Sequence, residues 1–398
     1  MKLIFISSWF PYPTDNGSKI RILNLLKGLS KHHQVTLFTF SRNDNYLPYI
    51  PILNNYCHRV FVAPWNEFTP HRRHALRGYF NMKPRSMVET YSPEMEGLIR
   101  QEINTNPSFD MVIFSQLDSI NYINLLSGIP AILEEVELGT LYDDFRNACG
   151  VSVKLRKGIT WWKTRSFLQK HIPEFRVCTV VSDKEKKILN SISPKYQNVE
   201  IIPNCIEISE YPFRARDPEP NQIIFTGSLR YPVNLEAMNY FVQEIFPILK
   251  RKSPEIKLLI TGNQEGIKTL PGEEDPHITY TGFINNIQQL VSESCVSIGP
   301  IKTGGGTRLK ILEAFAIGTP VVATSKAVEG LESKNKIHLL ISDTPLELAE
   351  SVCELLRNPG LCASLSIQAR RLVEERYDWE KVLPKFLNIL KRIEIESN

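Results

Sequence analysis

The sequence lacks any apolar run of membrane-spanning length, so no transmembrane helix is expected. Its opening apolar stretch, residues 1–6, is too short for a secretory signal and runs directly into a turn. The seven cysteines are scattered, odd in number and without a close pair, which argues against a disulfide framework and for a reducing compartment. A net charge of +4 over 398 residues is too slight to suggest a nucleic-acid partner. No G-x-G-x-x-G fingerprint is present, so no NAD site is expected. There is no D-x-D carboxylate pair and no assignable serine–histidine–acid set. The basic loop His71-Arg72-Arg73-His74 has no carboxylate or cysteine beside it, so it reads as solvated and no metal site is expected. With 42% hydrophobic and 23% charged residues, enough apolar material remains for real cores, and the length calls for two domains. The expected location is the cytoplasm.

The stretch from Lys302 to Pro320 organises the rest of the reading. Gly304-Gly305-Gly306-Thr307 feeds into a short helix in which Leu309, Leu312 and Ala316 form one apolar stripe. Gly318 serves as a left-handed stop and Pro320 forbids continuation. Val321-Val322-Ala323-Thr324 then reads as a buried parallel strand. The spacing places Arg308 and Lys310 in the first helical turn, where backbone N–H groups already present positive charge. An anion against the glycine loop turns that conflict into a binding site, with Lys302 flanking it.

Taken in order, the chain opens on strand Leu3–Ile6, a long loop, a helix over residues 18–29 and strand Val35–Phe38. That loop lies at the carboxyl end of a strand, where open parallel sheets gather ligands, and Gly17 puts bare backbone at a helix start there. Further strands are expected at 59–62, 111–114, 131–133 and 178–181, with a helix at 93–103 and a basic helix from Lys154 to His171. Residues 1–205 form the first domain, 206–221 a proline-rich linker and 222–378 the second domain. The second domain restarts with strand Gln222–Thr226 and repeats a strand-then-glycine pattern at Gly227-Ser228, Gly262 and Gly282, ending in a strand over 337–341. The expected architecture is α/β: two doubly wound, Rossmann-like domains facing a central cleft.

Several of these segments carry a resemblance. Gly304 to Thr324 closely resembles the donor-binding segment of glycosyltransferase family 4, whose members have the two-domain GT-B fold. Ile202-Pro203-Asn204-Cys205-Ile206-Glu207 is similar to that family's Ile-Pro-Asn-Gly-Val-Asp, and Thr226-Gly227-Ser228-Leu229 to the first turn of its second domain. Tyr280-Thr281-Gly282-Phe283 resembles its glycine turn, and Arg376-Tyr377-Asp378-Trp379-Glu380 its closing motif. That motif implies a last helix, 379–398, crossing back to the first domain.

The resemblance implies transfer of a sugar from a nucleoside-diphosphate sugar with retained configuration, for cell-surface polysaccharide or glycolipid synthesis. It implies no cofactor beyond the donor itself and no bound metal, and the missing D-x-D pair fits. Arg308 and Lys310 would stabilise the leaving diphosphate, Glu313 would hold the ribose hydroxyls, and Phe283 and Ile284 would contact the base. Gly17, Gly227, Ser228, Gly262, Lys302, Gly305, Gly306, Thr307 and Leu309 complete the implied donor site. Two departures stand out: Gly305 occupies the place of the family's first signature glutamate, and Arg230 is the sole cation near the first turn of the second domain. The rival readings are a nucleotide-sugar epimerase of the same fold and a non-catalytic sugar-nucleotide-binding subunit.

Two further features face an acceptor. Glu135 and Glu137 are placed on one side of an extended segment, as acceptor-side candidates or as a surface acidic patch. Lys154, Arg156, Lys157, Lys163, Arg165 and Lys170 interleave with Trp161, Trp162 and Phe167, with a second basic stretch at Arg72, Arg73, Arg77, Lys83 and Arg85. That combination suits peripheral contact with an anionic membrane face and a sugar or lipid-linked acceptor; the alternative is a helix with buried tryptophans and solvated lysines.

Overall fold

The computed structural model describes residues 1–14, 16–42, 44–66, 68, 78, 80–213, 217–306 and 308–397. The basic loop His71–His74, Arg77 and Thr307 lie outside the described residues. The chain divides into two units, Met1–Asn204 with Leu383–Asn398, and Cys205–Val382.

The first unit is built on seven parallel strands: β1 (Lys2–Ser7), β2 (Gln34–Ser41), β3 (Arg59–Pro64), β4 (Met111–Ser115), β5 (Ala131–Val136), β6 (Val177–Val180) and β7 (Val199–Ile201). Their order is β3-β2-β1-β4-β5-β6-β7. The short apolar runs in the sequence are these strands, and helices on the sheet faces bury them: β4, β5 and β6 are covered along their whole length. The helix Gly17–Leu29 starts where Asn16 caps it, its Oδ1 accepting from the Lys19 N–H at 3.0 Å. Ile22, Leu25, Leu26 and Leu29 are its buried stripe, as the spacing predicts.

Arg21, on the same helix, is as buried as its apolar neighbours. Its Nε donates to Glu134 Oε1 at 2.6 Å, and its Nη1 donates to the carbonyls of Ile202 and Pro203 and to Asn204 Oδ1 at 2.9–3.1 Å. One guanidinium thus joins the helix after β1, the end of β5 and the Ile202-Pro203-Asn204 segment. Such a pair survives burial because every oxygen it meets is a hydrogen-bond acceptor.

The second unit has six parallel strands: β8 (Glu219–Thr226), β9 (Lys257–Thr261), β10 (Ile278–Gly282), β11 (Ser294–Gly299), β12 (Val321–Ala323) and β13 (Leu340–Ile341), in the order β10-β9-β8-β11-β12-β13. In both sheets the order reverses beside the first strand, between β1 and β4 and between β8 and β11. The carboxyl ends of those neighbours are where such sheets open a ligand crevice.

Three local expectations are corrected. The stretch 206–221 is in part second-unit structure: Ile206 bridges Asp378, Tyr211 is buried, and β8 already begins at Glu219. The last strand is only Leu340–Ile341, because Ile337 is spent on a turn in which the Lys336 N–H donates to the Leu339 carbonyl at 2.8 Å. In the helix Val151–His171, Trp161 packs edge-on to Tyr142 at 5.3 Å and Lys163 is buried, so these two belong to the packed face and Trp162 to the open one.

Candidate functional site

Two loops meet at the reversal point of the second sheet. The first leaves β8 through Thr226-Gly227-Ser228. Gly227 has φ +133 and Gly262 has φ +114, and a Cβ on Gly262 would lie 2.5 Å from the Gly227 carbonyl group. Only glycine allows two backbones to approach so closely. The contact is fixed by the Gly227 N–H donating to the Thr261 carbonyl at 3.2 Å, the Leu229 N–H to the Asn263 carbonyl at 2.9 Å and the Ser228 hydroxyl to the same carbonyl at 3.1 Å.

The second loop leaves β11 and carries Lys302 to Arg308. Gly304 and Gly306 have φ +81 and +79. The helix then begins at Leu309, so Arg308 stands at its cap position rather than inside the first turn. Its Nη2 donates back to the Thr303 carbonyl at 3.1 Å and lies 3.1 Å from the point a Gly304 Cβ would occupy, so the guanidinium braces the glycine loop. At the far end Gly318 is left-handed, φ +88, and the N–H groups of Gly318 and Thr319 close on the Ala314 carbonyl at 3.0 and 2.9 Å.

Lys310 connects the two loops. Its Nζ donates to Asn234 Oδ1 at 3.0 Å, lies 4.0 Å from the Phe225 ring centroid and sits 2.8 Å from the point a Gly227 Cβ would reach. Asn234 in turn donates to the Ser228 carbonyl at 2.8 Å. Burial, with Arg308 next and Glu313 opposing, pushes the Lys310 ammonium down to about 7. A charge held so poorly solvated favours an incoming anion.

Glu313 lies one turn further along the helix. Tyr211, from the segment before β8, donates its hydroxyl to Glu313 Oε1 at 3.1 Å. Burial raises the Glu313 carboxyl, while Tyr211 and Lys310 act the other way. Arg370 fastens the same corner through its Nη1, which donates to the carbonyls of Tyr211 and Ala316 at 2.5 and 2.6 Å.

The structure therefore brings Gly227, Ser228, Gly262, Gly304, Gly305, Gly306, Arg308, Leu309, Lys310 and Glu313 into one corner, over the ends of β8 and β11. Phe283 follows the left-handed Gly282 (φ +69) and is 69% exposed, with Ile284 half-buried beside it. Two expected residues stand apart: the Lys302 ammonium lies 4.1 Å from the Tyr240 ring, and Arg230 pairs loosely with Glu265 at 3.8 Å. The sequence does not mark Asn234 or Tyr211 as site residues. Asn234 shows in the sequence only as a helix start, and Tyr211 only as part of a proline-rich stretch.

In the first unit Gly17 opens its helix, as expected. Beside it Ser18 donates to Glu135 Oε1 at 3.1 Å, and Gln116 Nε2 donates to Oε2 at 3.0 Å. Gln116 and Glu135 both have positive φ, +71 and +56, which is costly for side-chain-bearing residues and marks the ends of β4 and β5 as strained. That bend also breaks the alternation on which Glu135 and Glu137 share a side: Glu135 is buried and Glu137 exposed. Burial, reinforced by Glu134, pushes the Glu135 carboxyl up to about 8, with Arg21 opposing.

Two Rossmann-like α/β units with parallel sheets define the GT-B architecture, the fold of a large class of sugar-transferring enzymes. Residues 220–358, within the second unit, match the family model described as glycosyl transferases group 1. Over 403 residues the chain is 23% identical to an uncharacterized 44.6 kDa protein in the cps region of Klebsiella pneumoniae, covering 96% of this chain and 97% of that one. Among solved structures it is similar to sucrose-phosphate synthase from Thermosynechococcus elongatus, with TM-score 0.68, 16% identity and 98% of both chains covered. It is also similar to Anabaena HepE in complex with UDP and glucose, with TM-score 0.67, 14% identity, and 98% of this chain and 100% of that one covered. These likenesses bear on the fold; none of the described helices is long and apolar enough to cross a membrane.

Proposed function

We propose that the protein transfers a sugar, with retained anomeric configuration, from a nucleoside-diphosphate sugar to an acceptor hydroxyl in the synthesis of a cell-surface polysaccharide or glycolipid. The observation that carries this is Lys310, drawn by Asn234 over Gly227 between the β8 turn and the glycine loop. It is a half-buried cation held between the two glycine-bearing loops. A diphosphate leaving group gains negative charge as the sugar bond breaks, and Lys310, Arg308 and nearby N–H groups are the fixed charges that would stabilise it. Glu313, pre-set by Tyr211, would accept the ribose hydroxyls, and the exposed Phe283 would offer a ring to the base. The glycosyl transferases group 1 match over 220–358 supports the reading, as does the cps-region relative.

The test has two stages. A thermal-shift panel of UDP, GDP and ADP identifies the base, and the matching labelled nucleotide sugar is then followed without acceptor. Slow hydrolysis with the anomeric configuration kept, read by NMR, is the expected result. Conversion to an epimer would replace the reading with an epimerase, and inversion would remove retention. Binding without turnover, even with added acceptors, would leave a non-catalytic subunit.

A further inference from the structure

We propose that the open face of the Val151–His171 helix, together with the loop carrying Phe80 and Met82, docks the protein on an anionic lipid bilayer. The helix is 21 residues long and contains no acidic residue. Trp161, Phe167 and Leu168 belong to the core of the first unit, and Lys163 is buried, its Nζ donating to the Gly78 carbonyl at 2.9 Å. What remains outside is an apolar stripe at helical spacing: Val151, Leu155, Ile159 and Trp162, which are 88%, 64%, 37% and 52% exposed, with Gly158 between them. With Lys154 these residues line an open groove of about 430 Å³.

The second element is anchored to the same helix. Lys83 sits 6.0 Å from the Phe167 ring, and the loop it ends leaves Phe80 96% and Met82 63% exposed. Large apolar side chains held this far into solvent cost free energy unless something covers them.

Charge selects the occupant. Lys154, Arg156, Arg165 and Lys170 are exposed around the stripe, and the neighbouring acids are already paired, Asp144 with Lys157 at 3.1 Å and Asp143 with Lys184 at 2.7 Å. A second copy would bring the same basic face against itself, and like charges oppose a self-complementary interface. A bilayer with anionic headgroups matches both parts: basic side chains meet phosphate, while Trp162, Leu155 and Phe80 enter the headgroup–acyl boundary.

The inference is independent of the donor site and is tested on the full chain. Sedimentation with vesicles of equal parts phosphatidylglycerol and phosphatidylcholine should carry the protein down, phosphatidylcholine alone should not, and added salt should release it. Lys154→Glu and Arg165→Glu should each weaken binding roughly fivefold or more, from about 1 kcal/mol per basic residue at such a surface. Leu155→Ser with Trp162→Ser should weaken it about tenfold or more at unchanged surface charge. All four positions are exposed, so circular dichroism and nucleotide binding should stay as in the parent protein. Equal binding to neutral vesicles, or none to either, overturns the proposal. So does a self-association or an acidic-protein complex that the same substitutions abolish while vesicle binding is absent.

Discussion

Lys310→Met tests the charge argument most directly, because the structure predicts opposite signs for stability and for binding. The amine has been pulled from 10.5 to about 7, mainly by burial. In the unfolded chain it titrates as an ordinary lysine, so between pH 7 and 10.5 the unfolded state binds more protons and stability rises with pH. At pH 7 the poorly solvated amine therefore costs the fold on the order of 4 kcal/mol relative to its neutral form. Methionine fills a similar volume with no charge to desolvate, so Lys310→Met should stabilise the protein, by roughly 1–3 kcal/mol in chemical denaturation at pH 7. Binding should move the other way. A nucleoside diphosphate beside the amine raises its pKa, so binding at pH 8 should take up nearly one proton, and affinity should fall as pH rises above 7. Calorimetry in two buffers of different ionisation enthalpy reads that proton directly, and pH 8 keeps the terminal phosphate, with its second pKa of about 6, fully ionised. The variant should bind the diphosphate at least about tenfold more weakly, the value of one charge-assisted contact, with the uptake gone. An unchanged affinity in Lys310→Met, or no proton uptake by the parent at pH 8, would refute the reasoning.

The other expectations follow from single contacts. Glu313→Gln keeps an acceptor for the Tyr211 hydroxyl, so the melting temperature should hardly move while nucleotide affinity drops about tenfold; Tyr211→Phe should give a smaller loss, and the double variant less than the sum. Gly262→Ala drives a Cβ to 2.5 Å from backbone atoms of Gly227, which cannot give way, so denaturation should show a loss of roughly 2 kcal/mol or more and nucleotide binding should fail with it. Arg21→Met leaves Glu134 buried without its partner and should cost about 3–5 kcal/mol, whereas Arg21→Met with Glu134→Met should recover most of that. Glu135 is protonated in the fold until about pH 8 but ionises in the unfolded chain near the ordinary value of 4.5, so its contribution is largest at acid pH and is lost as pH rises through that window; Glu135→Gln should gain in melting temperature over the parent from pH 5 to pH 8.

What could be read in the sequence was whatever depends on local pattern. Runs such as Met111–Phe114 are buried on both faces, and such runs have few other places to go than a parallel strand. Gly318 reads as a left-handed stop because a glycine ends the apolar stripe just before Pro320 bars continuation, and its φ is +88. The glycine loop announced a close approach, and the same logic applies to Gly227 and Gly262, though the sequence does not say that the two approach each other. Partners set by the sheet order were not legible. Asn234 reaches Lys310 across 76 residues, Tyr211 reaches Glu313 across 102, and Arg21 reaches Asn204 across 183. No periodicity encodes such separations; they exist only once β8 and β11 lie side by side, or β1 and β5 bracket β4.

Glu135 shows why alternation misleads at the end of a strand. Alternation assumes an extended backbone, and it holds along β5 only as far as Leu133; the register with β6 then shifts between Leu133 and Val136. The residue in that bulge turns to φ +56 and points its carboxylate inward to Ser18 and Gln116, while Glu137 is left outside. Strain of this kind costs on the order of 1–3 kcal/mol at each residue and persists only where the surroundings over-determine it. Here Thr179 helps to do so by accepting the Glu135 N–H at 3.2 Å. Two such residues, at the ends of β4 and β5 and beside the start of the Gly17–Leu29 helix, stand next to the first unit's reversal point between β1 and β4. The difference is that hydrogen-bonded side chains, Ser18, Gln116 and Glu135, stand there beside the bare backbone of Gly17. Under the proposed function, hydrogen-bonding side chains of this kind would suit an acceptor's hydroxyl groups, and the anion would go to Lys310 and the glycine loop of the second unit.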